Sequence, residues 1–569
     1  MEKRVFLAIF LSFAVLAAYQ AYFAPAPPKP DQRAAAQANG APNAPAPVSS
    51  SAPSTTAPSV APEAQPPVAN AAARDIVVDT DTVHAVFTTQ GAALKSWQLK
   101  RYLNLETERV DLVPGQLPDS VPKPLTLATD DAAVSAKLRA AVYTANVDAL
   151  TLGSGTGTLE FDYQDPSGLA AHKTLKFQPD GKAYVVSVDA NVAVGGKPQP
   201  VTIEWGPGIG LGFHPDGSRP FPMRAIQMSD KVARLSVSNL GKQSKYEERF
   251  RFAGVEDQYF LSAVLPPRQT PQAVRINYEP VTMPVPGDPE NRTRAFVAYS
   301  VRTPGPAALA YYMGPKDLDA LRAVDPELTG AIDFGMFRFL VVPLLQALKW
   351  INRYLGNYGW SIVALTVFIN LIIFPLRHRS MVSMRKMQAL QPEVKAIQDR
   401  YAKYKITDPE RQKMNQEMMA LYKQRGVNPA SGCVPMVLTM PVLFAFYAML
   451  NGSIELRGAP FMGWLHDLSL KDPYYITPVL MGGTMFWQQR MMPSTADPVQ
   501  QKMFLLMPII FTTMFLAAPS GLVVYWLVSN LLAIGQQYTT NRMIGAPPPR
   551  PATSRPMKSV GKGRTSRSA

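Results

Sequence analysis

Cysteine and histidine are scarce in this sequence, and their scarcity excludes several kinds of site. The 569 residues include one cysteine and five histidines. One cysteine excludes a disulfide framework and a cysteine-rich metal site, and the histidines form no HExxH or other metal-binding spacing. A Walker A loop, a GxGxxG loop and a GxSxG elbow are also missing. No motif therefore predicts nucleotide binding or nucleophilic catalysis.

Charged residues are also few. They make up 17% of the chain against a typical ~25%, while hydrophobic residues make up 47%. This balance favours a membrane protein, although a mean hydropathy of -0.04 requires a large polar part as well. Of the charge, residues 23–330 carry 29 basic and 31 acidic side chains, and the rest of the chain carries 28 and 11. The basic excess lies beside apolar segments, which favours membrane-flanking loops over a DNA-binding surface.

The N-terminal region predicts an anchor followed by a tether. In residues 1–23, Lys3 and Arg4 precede an apolar run. A cleaved signal peptide is the alternative, but no small-x-small cleavage site ends the run, so we expect a retained transmembrane anchor. Residues 24–73 contain 12 Pro and 17 Ala and no Leu, Ile or aromatic residue. Such a segment cannot bury enough apolar surface to fold, and we expect a disordered tether.

Residues 74–330 have the pattern of a β domain. Short β-branched and aromatic runs alternate with Gly, Pro and Asp clusters, which favours a large β-sandwich. The predicted strands are 76–78, 83–88, 158–163, 174–177, 183–188, 201–205, 259–264 and 294–300. The glycine-rich stretch 206–212 fits no phosphate-loop spacing, and we interpret it as a turn.

The rest of the chain predicts membrane spans. Beyond the anchor, apolar runs occur at 359–376, 433–450 and 474–488, and 503–538 is long enough for two short spans around Pro519-Ser520-Gly521. The 377–430 loop carries 12 basic and 5 acidic residues, and the tail after 538 carries 7 basic residues and no acidic one. Six spans place both segments, and both termini, in the cytoplasm. If 334–348 also spanned, both segments would be exported, so residues 331–356 are predicted to form an interfacial amphipathic helix.

Several segments of the chain resemble one family. They are 357–370 (NYGWSIVALTVFIN), 384–401, 419–447, 497–511 and 519–537 (PSGLVVYWLVSNLLAIGQQ), and the β domain lies between the first two spans. Together they resemble the YidC and oxidase-assembly family of membrane protein insertases. The resemblance implies a polytopic α-helical protein of six spans in the inner membrane of a Gram-negative bacterium, with a large periplasmic β-supersandwich and a cytoplasmic helical hairpin at 377–430. The five later spans, 357–538, would form the insertase core, and 539–569 a basic cytoplasmic tail.

The resemblance also implies a function. It implies an insertase and chaperone for nascent membrane proteins, acting alone or with the Sec translocon, that is not an enzyme and needs no ATP, metal or other cofactor. The family carries a basic residue in a hydrated groove that opens to cytoplasm and lipid, and alignment places Asn370 at that position. An asparagine can hydrogen-bond but cannot attract an acidic substrate by charge. If the site is hydrated, we expect Asn370→Arg to be tolerated; an interhelical hydrogen bond is the alternative role.

Other residues are candidates for the groove and its surroundings. Polar candidates for the groove, each of which could instead form a packing hydrogen bond, are Thr366, Thr439, Thr484, Gln488, Thr512, Ser529, Asn530 and Gln536. The resemblance implies a hydrophobic slide that includes Met440, Phe446 and Trp526. Candidates for docking to the ribosome or to lipid headgroups are the hairpin residues Arg385, Lys386, Lys395, Arg400, Lys403 and Lys405. A solvated hairpin without a partner is the alternative.

Two other classes of function compete with insertion. A transporter or lipid flippase would normally show internal repeats with broken helices, and none is visible. An anchored periplasmic sugar enzyme would need an acid/base pair, and no motif places one.

Overall fold

The computed structural model describes most of the chain beyond the N-terminal region. The described residues are 72–103, 108–113, 117, 121–210, 223–267, 274–285, 292–404, 408–427, 434–491 and 498–544. The predicted anchor at 1–23, nearly all of the tether at 24–73, Lys405 and the tail beyond 544 lie outside them.

Residues 75–315 form the predicted β domain. Its described part contains twenty strands: β1 Asp75–Thr80, β2 Val83–Thr88, β3 Ala93–Leu103, β4 Arg109–Asp111, β5 Thr126–Ala128, β6 Thr144–Ala145, β7 Ala149–Gly153, β8 Gly157–Gln164, β9 Leu169–Phe177, β10 Val185–Val194, β11 Lys197–Pro198, β12 Thr202–Trp205, β13 Arg224–Met228, β14 Val232–Leu235, β15 Lys245–Glu248, β16 Phe252–Glu256, β17 Phe260–Leu265, β18 Val274–Pro284, β19 Thr293–Arg302 and β20 Ala307–Pro315. Each of the eight predicted strands overlaps an observed one.

The strands form three sheets. The largest has ten strands in the order β14-β13-β16-β17-β20-β10-β9-β8-β6, with β11 on β10. Two five-stranded sheets run β4-β3-β2-β1-β7 and β15-β18-β19-β12-β5. Alternation along a strand explains the layering. In β1, Ile76 and Val78 are buried, while Val77 and Asp79 are partly exposed. The central strands β16 and β17 are buried at nearly every position, as expected for strands covered on both faces.

One charged side chain lies inside this domain. Lys173 on β9 is fully buried. Its Nζ donates to the carbonyl oxygens of Ala92 at 2.7 Å and Leu125 at 2.5 Å. A buried ammonium needs such partners because its desolvation is costly. Lys173 therefore joins the 10-stranded sheet to the β2–β3 turn and to the residue before β5.

Eleven helices are described. They are α1 Ala132–Ala140, α2 Val237–Leu240, α3 Leu318–Val324, α4 Arg338–Leu355, α5 Tyr358–Ala389, α6 Gln391–Arg400, α7 Glu410–Gln424, α8 Val434–Gly452, α9 Ile476–Met491, α10 Pro498–Phe515 and α11 Ser520–Ile544. The predicted break at Pro519-Ser520-Gly521 separates α10 from α11. Among the described residues, one helix, α5, is long and apolar enough to cross a membrane, and 439–452 and 506–515 are shorter apolar stretches.

The predicted interfacial helix begins later than expected. A short 3-10 turn at Gly335–Phe337 precedes α4, which runs to Leu355 and ends at Gly356 in the left-handed conformation. Val341, Leu345 and Leu348 are buried against the rest of the protein. Phe339 and Tyr354 are each 74% exposed, so α4 presents aromatic rings on its outer side.

The 377–430 segment has the predicted hairpin, but its first helix is not separate from the span before it. α5 continues without interruption from Tyr358 to Ala389. Val394 and Ile397 of α6 and Met414 of α7 are buried between the two arms. Asp408 accepts a hydrogen bond from the Glu410 amide at 3.0 Å, so it caps α7 as predicted.

A partly buried ion cluster joins α4 to the start of α3, which follows β20, and to the loop after α8. Lys349 Nζ lies 3.2 Å from Glu455, 2.6 Å from Asp319 and 3.3 Å from Asp317. Burial opposes the charged form of Lys349, but the three carboxylates outweigh it and raise its pKa. Burial also raises the pKa of Glu455 in spite of Lys349. The 3.2 Å contact to Lys349 Nζ favours the ionised carboxylate, so Glu455 and Lys349 form an ion pair.

Candidate functional site

A polar groove lies between four helices. It encloses about 180 Å³ between α5, α8, α9 and α11. Its walls combine aliphatic residues with amide, hydroxyl and guanidinium groups, namely Ile369, Asn370, Ile373, Arg377, Thr439, Met440, Val442, Leu443, Gln488, Tyr525, Trp526, Ser529, Asn530 and Ala533. Polar groups on helices at membrane depth are costly unless they face water or one another, so such a groove is a site candidate.

Asn370 lies at the centre of the groove wall formed by α5. It is 5% exposed, and its Nδ2 donates to the carbonyl oxygen of Thr366 at 2.8 Å. Its own backbone carbonyl accepts from Gln536 Nε2 on α11 at 3.3 Å. The side-chain oxygen faces the other way, toward the C-terminal end of the same helix.

That oxygen binds a residue that the sequence analysis missed. Arg377 donates from Nη1 to Asn370 Oδ1 at 3.0 Å and lines the same groove. The two residues are seven apart, or two helical turns, so their side chains lie on one face of α5. We had counted Arg377 among the hairpin's basic residues. The spacing of seven from Asn370 was the signal that could have placed it in the groove.

Four other predicted groove residues line the cavity. Thr439, Gln488, Ser529 and Asn530 come from three different helices. Asn530 also donates to Thr484 Oγ1 at 3.2 Å, which joins α11 to α9. Polar groups therefore face the cavity from all four helices.

Four predicted polar residues lie away from the cavity wall: Thr484, which accepts the hydrogen bond from Asn530, and Thr366, Thr512 and Gln536. Thr366 is fully buried and donates to the Ile362 carbonyl at 2.6 Å. Thr512 donates to the Pro508 carbonyl at 2.6 Å and lies where α10 meets Gly482 of α9. Gln536 donates to the backbone carbonyl of Asn370 and is not part of the cavity lining. Hydroxyls that bond to the carbonyl four residues back satisfy themselves within their own helix.

The predicted slide residues separate into two groups. Met440 and Trp526 line the groove, and Met440 is 39% exposed. Phe446 is fully buried and stacks on Tyr525 with 4.2 Å between ring centroids. Its ring packs α8 against α11 and does not reach the cavity.

The predicted docking residues differ in their surroundings. Arg400 forms an ion pair with Glu417 across the hairpin at 3.1 Å, and Arg385 donates to Asn541 of α11. Lys403 lies over the Tyr404 ring at 5.1 Å. Lys386 and Lys395 are exposed on the hairpin surface. Two of the five described candidates therefore hold the hairpin in place.

Comparison with known proteins gives one consistent result. The family described as 60Kd inner membrane protein matches residues 350–546, and the family described as YidC periplasmic domain matches residues 75–347. A relative from Geobacter metallireducens, named membrane protein insertase YidC, is 36% identical over 96% of this chain and 99% of its own. One of the same name from Geobacter sulfurreducens is 40% identical over 82% of this chain and 86% of its own. The match to a crystal structure of an active YidC insertase covers 81% of this chain and 92% of the insertase chain. The sequence identity is 16% and the TM-score is 0.34.

Proposed function

The chain belongs to the YidC family of membrane protein insertases, and from this premise we propose that substrates enter the membrane through the groove between α5, α8, α9 and α11. A substrate helix carries polar flanking residues, and each unsatisfied polar group costs several kcal/mol in hydrocarbon. Amide and hydroxyl groups on the groove walls, together with water, lower that cost. The apolar side chains of Met440 and Trp526 offer a path for the hydrophobic segment.

The contact between Arg377 and Asn370 carries this proposal. A guanidinium remains charged at any physiological pH, so Arg377 gives the groove a permanent positive charge. Asn370 holds it without neutralising it, because an amide oxygen accepts a hydrogen bond and carries no net charge. The groove is then suited to attract acidic residues in the translocated part of a substrate. Arg377 supplies the charge that the family places at the position of Asn370.

We propose six spans, with both termini in the cytoplasm and the β domain in the periplasm. The 7-versus-0 charge bias of the tail and the 12-versus-5 bias of the 377–430 segment support this orientation. Helices α9 and α10 have 16 and 18 residues, or about 24 and 27 Å. Such short spans would thin the bilayer beside the groove and shorten the substrate's path.

We also propose that the hairpin and the tail dock to the ribosome, and that the protein acts alone or beside the Sec translocon. The exposed cations Lys386 and Lys395 and the basic sequence of the tail support an electrostatic contact with ribosomal RNA. Deletion of 545–569 should weaken ribosome binding at low salt and flatten its salt dependence. Insertion of a substrate released from the ribosome should stay intact. Equal ribosome binding by the full-length protein and the deletion variant would contradict the docking role.

Reconstitution tests the proposed function directly. The purified chain in liposomes should insert a small single-span protein, with an acidic N-terminal tail, without ATP. Empty liposomes and liposomes with the Arg377→Gln variant are the controls. Export of lipid or small solutes without insertion would instead favour a transporter.

A further inference from the structure

A second cavity lies outside the membrane helices, between the β domain and the loop after α8. It encloses about 500 Å³ between the end of β3 and residues 457–473. Arg101, Arg457, Lys471 and His466 line it, together with Asp467 and Trp464. This volume lies within the range of small-ligand sites in proteins.

The charge of this cavity differs from what the loop's composition predicts. By sequence the 451–473 loop carries two basic and three acidic residues. Glu455 points away and pairs with Lys349 at 3.2 Å. Asp472 is fully buried and accepts from the amide of Thr477 at 2.7 Å and from Trp464 Nε1 at 3.0 Å. Both acids are therefore used inside the protein, which leaves Asp467 as the carboxylate that lines the cavity.

Arg101, Arg457 and Lys471 carry permanent charges beside Asp467, which is the carboxylate that lines the cavity among the described residues. Asp467 is itself engaged by the Ser469 amide and hydroxyl, each at 2.7 Å. Lys471 lies over the Tyr475 ring at 5.9 Å, and this contact leaves its charge in place. The cavity is thus a positively charged pocket suited to an anion that can accept several hydrogen bonds.

The position of the pocket indicates which anion. Pro473 lines it, and the chain passes within three residues into α9. There Tyr474, Val479 and Leu480 are 68%, 59% and 53% exposed, as expected for residues that face lipid. Tyrosine at the start of a span is typical of the headgroup region. In the proposed topology, the pocket therefore lies beside the headgroup region, at the depth of lipid phosphates.

We propose that this pocket binds the phosphodiester of an anionic phospholipid from the outer leaflet. Arg101 and Lys471 contact the phosphate, and the lipid's acyl chains continue along the exposed side chains of α9. The bound lipid joins the β domain to the start of α9. The proposal rests on the proposed topology only for the depth of the pocket.

Binding of short-chain phosphatidylglycerol to the full-length protein in detergent tests the site. The double variant Arg101→Gln, Lys471→Gln should bind this lipid with an affinity that is lower by about tenfold or more. The reason is that each surface cation contributes to the binding of an anionic lipid. A matched control, Lys242→Gln with Arg249→Gln, removes two exposed cations elsewhere in the β domain and should bind as the wild type does. Equal affinity of all three proteins would overturn the proposal.

Two further measurements complete the test. The first distinguishes a lipid phosphate from free phosphate, and the second distinguishes failure of the pocket proposal from failure of the proposed insertase function. Inorganic phosphate should compete weakly; if phosphate binds as tightly as the lipid, the site serves a free anion and the lipid proposal is wrong. Insertion of the single-span substrate should persist in the double variant. Loss of lipid binding with insertion intact supports the pocket, whereas failure of the wild type to insert would contradict the proposed function alone.

Discussion

Arg377 and Asn370 stand two turns apart on one helix, and the guanidinium of the first donates to the side-chain oxygen of the second at 3.0 Å. The basic charge beside the groove thus belongs to Arg377, and not to position 370, where the resemblance implies a basic residue. Asn370 positions the cation, and Arg377 provides it.

Removing the charge should affect acidic substrates most. We expect Arg377→Gln to reduce insertion of a substrate with an acidic tail by about tenfold, which corresponds to a loss of ~1.4 kcal/mol of charge interaction. Insertion of the same substrate with a neutral tail should change little. Arg379→Gln, an exposed cation two residues away, is the matched control. An equal loss for both tails would show that Arg377 acts on the fold and not on the substrate.

The burial of Asn370 favours the second of the two alternatives for this position, a packed hydrogen bond, and with it a different outcome for Asn370→Arg. A second guanidinium at this position would face Arg377 across hydrogen-bond distance, and like charges in a poorly solvated site repel. We now expect Asn370→Arg to lower the yield of folded protein and the Asn370→Arg, Arg377→Gln double variant to restore it. Size-exclusion chromatography in detergent measures the folded yield. A well-folded single variant would mean that water already screens the site.

Two adjacent glycines of α9 should respond differently to the same change. A Cβ added at Gly482 would lie 2.0 Å from Thr512 Oγ1 on α10, whereas at Gly483 it would meet nothing within 4 Å. We expect Gly482→Ala to destabilise the protein by roughly 1–3 kcal/mol through overpacking. Gly483→Ala should be neutral or slightly stabilising. Thermal unfolding in detergent compares the two, and Thr512→Ala should partly rescue Gly482→Ala.

The Lys349 cluster should be a strong junction between the β domain and the helices. Lys349→Met leaves Glu455 and Asp317 without their cation, and breaking a buried pair in this way costs about 3–5 kcal/mol. Adding Glu455→Gln should recover part of the loss. The melting temperature of the full-length protein reports the change. A Lys349→Met variant as stable as the wild type would show that solvent screens the carboxylates.

Because of Lys173, the free energy of unfolding of the β domain should rise as the pH is raised above neutral. Burial lowers its pKa to about 7. In the unfolded chain the amine keeps its proton up to ~10.4, so unfolding takes up a proton between these values and stability rises with pH by up to ~1.4 kcal/mol per unit. Calorimetry of the full-length protein from pH 7 to 10 should show a smaller slope for Lys173→Met. Lys176→Met, on the exposed face of the same strand, should keep the wild-type slope.

The proposed topology can be checked by labelling from outside the cell. In a Cys433→Ser background, a cysteine at Ser566 should resist an impermeant thiol reagent in intact spheroplasts. A cysteine at Lys242 in the β domain should react. Reaction at both positions would contradict a cytoplasmic C-terminus.

Much of the architecture followed from local patterns. The eight predicted strands and the break before Ser520 depend on β-branched runs and turn residues, which act over a few neighbouring residues. The long strands β3 and β18 were missed, because a bulge shifts the pairing of β3 with β2 and because Pro280 follows the regular alternation at the start of β18. The start of α4 was placed seven residues early, since the 3-10 turn at Gly335–Phe337 is as apolar as the helix that follows it.

The site was harder to predict than the fold. Residue type identified Asn370, Thr439 and Gln488, because polar groups are rare in spans. It could not distinguish a hydroxyl that faces the cavity from one, such as Thr366, that bonds its own helix. Nor could charge counting show that Glu455 and Asp472 turn inward. Those outcomes depend on contacts between segments far apart in the chain.

The length of α5 has a mechanical consequence. Its 32 residues span about 48 Å, which exceeds the ~30 Å hydrocarbon layer, so one rod carries both the groove residues and the first arm of the hairpin. Pro375 lies within it, between Asn370 and Arg377, and deprives the Leu371 carbonyl of its usual donor. A tilt of ~10° about Pro375 would displace Ala389 by roughly 4 Å. The helix is thus a lever whose pivot lies beside the charged contact, and a load on the end that carries the hairpin would change the distance between Arg377 and Asn370.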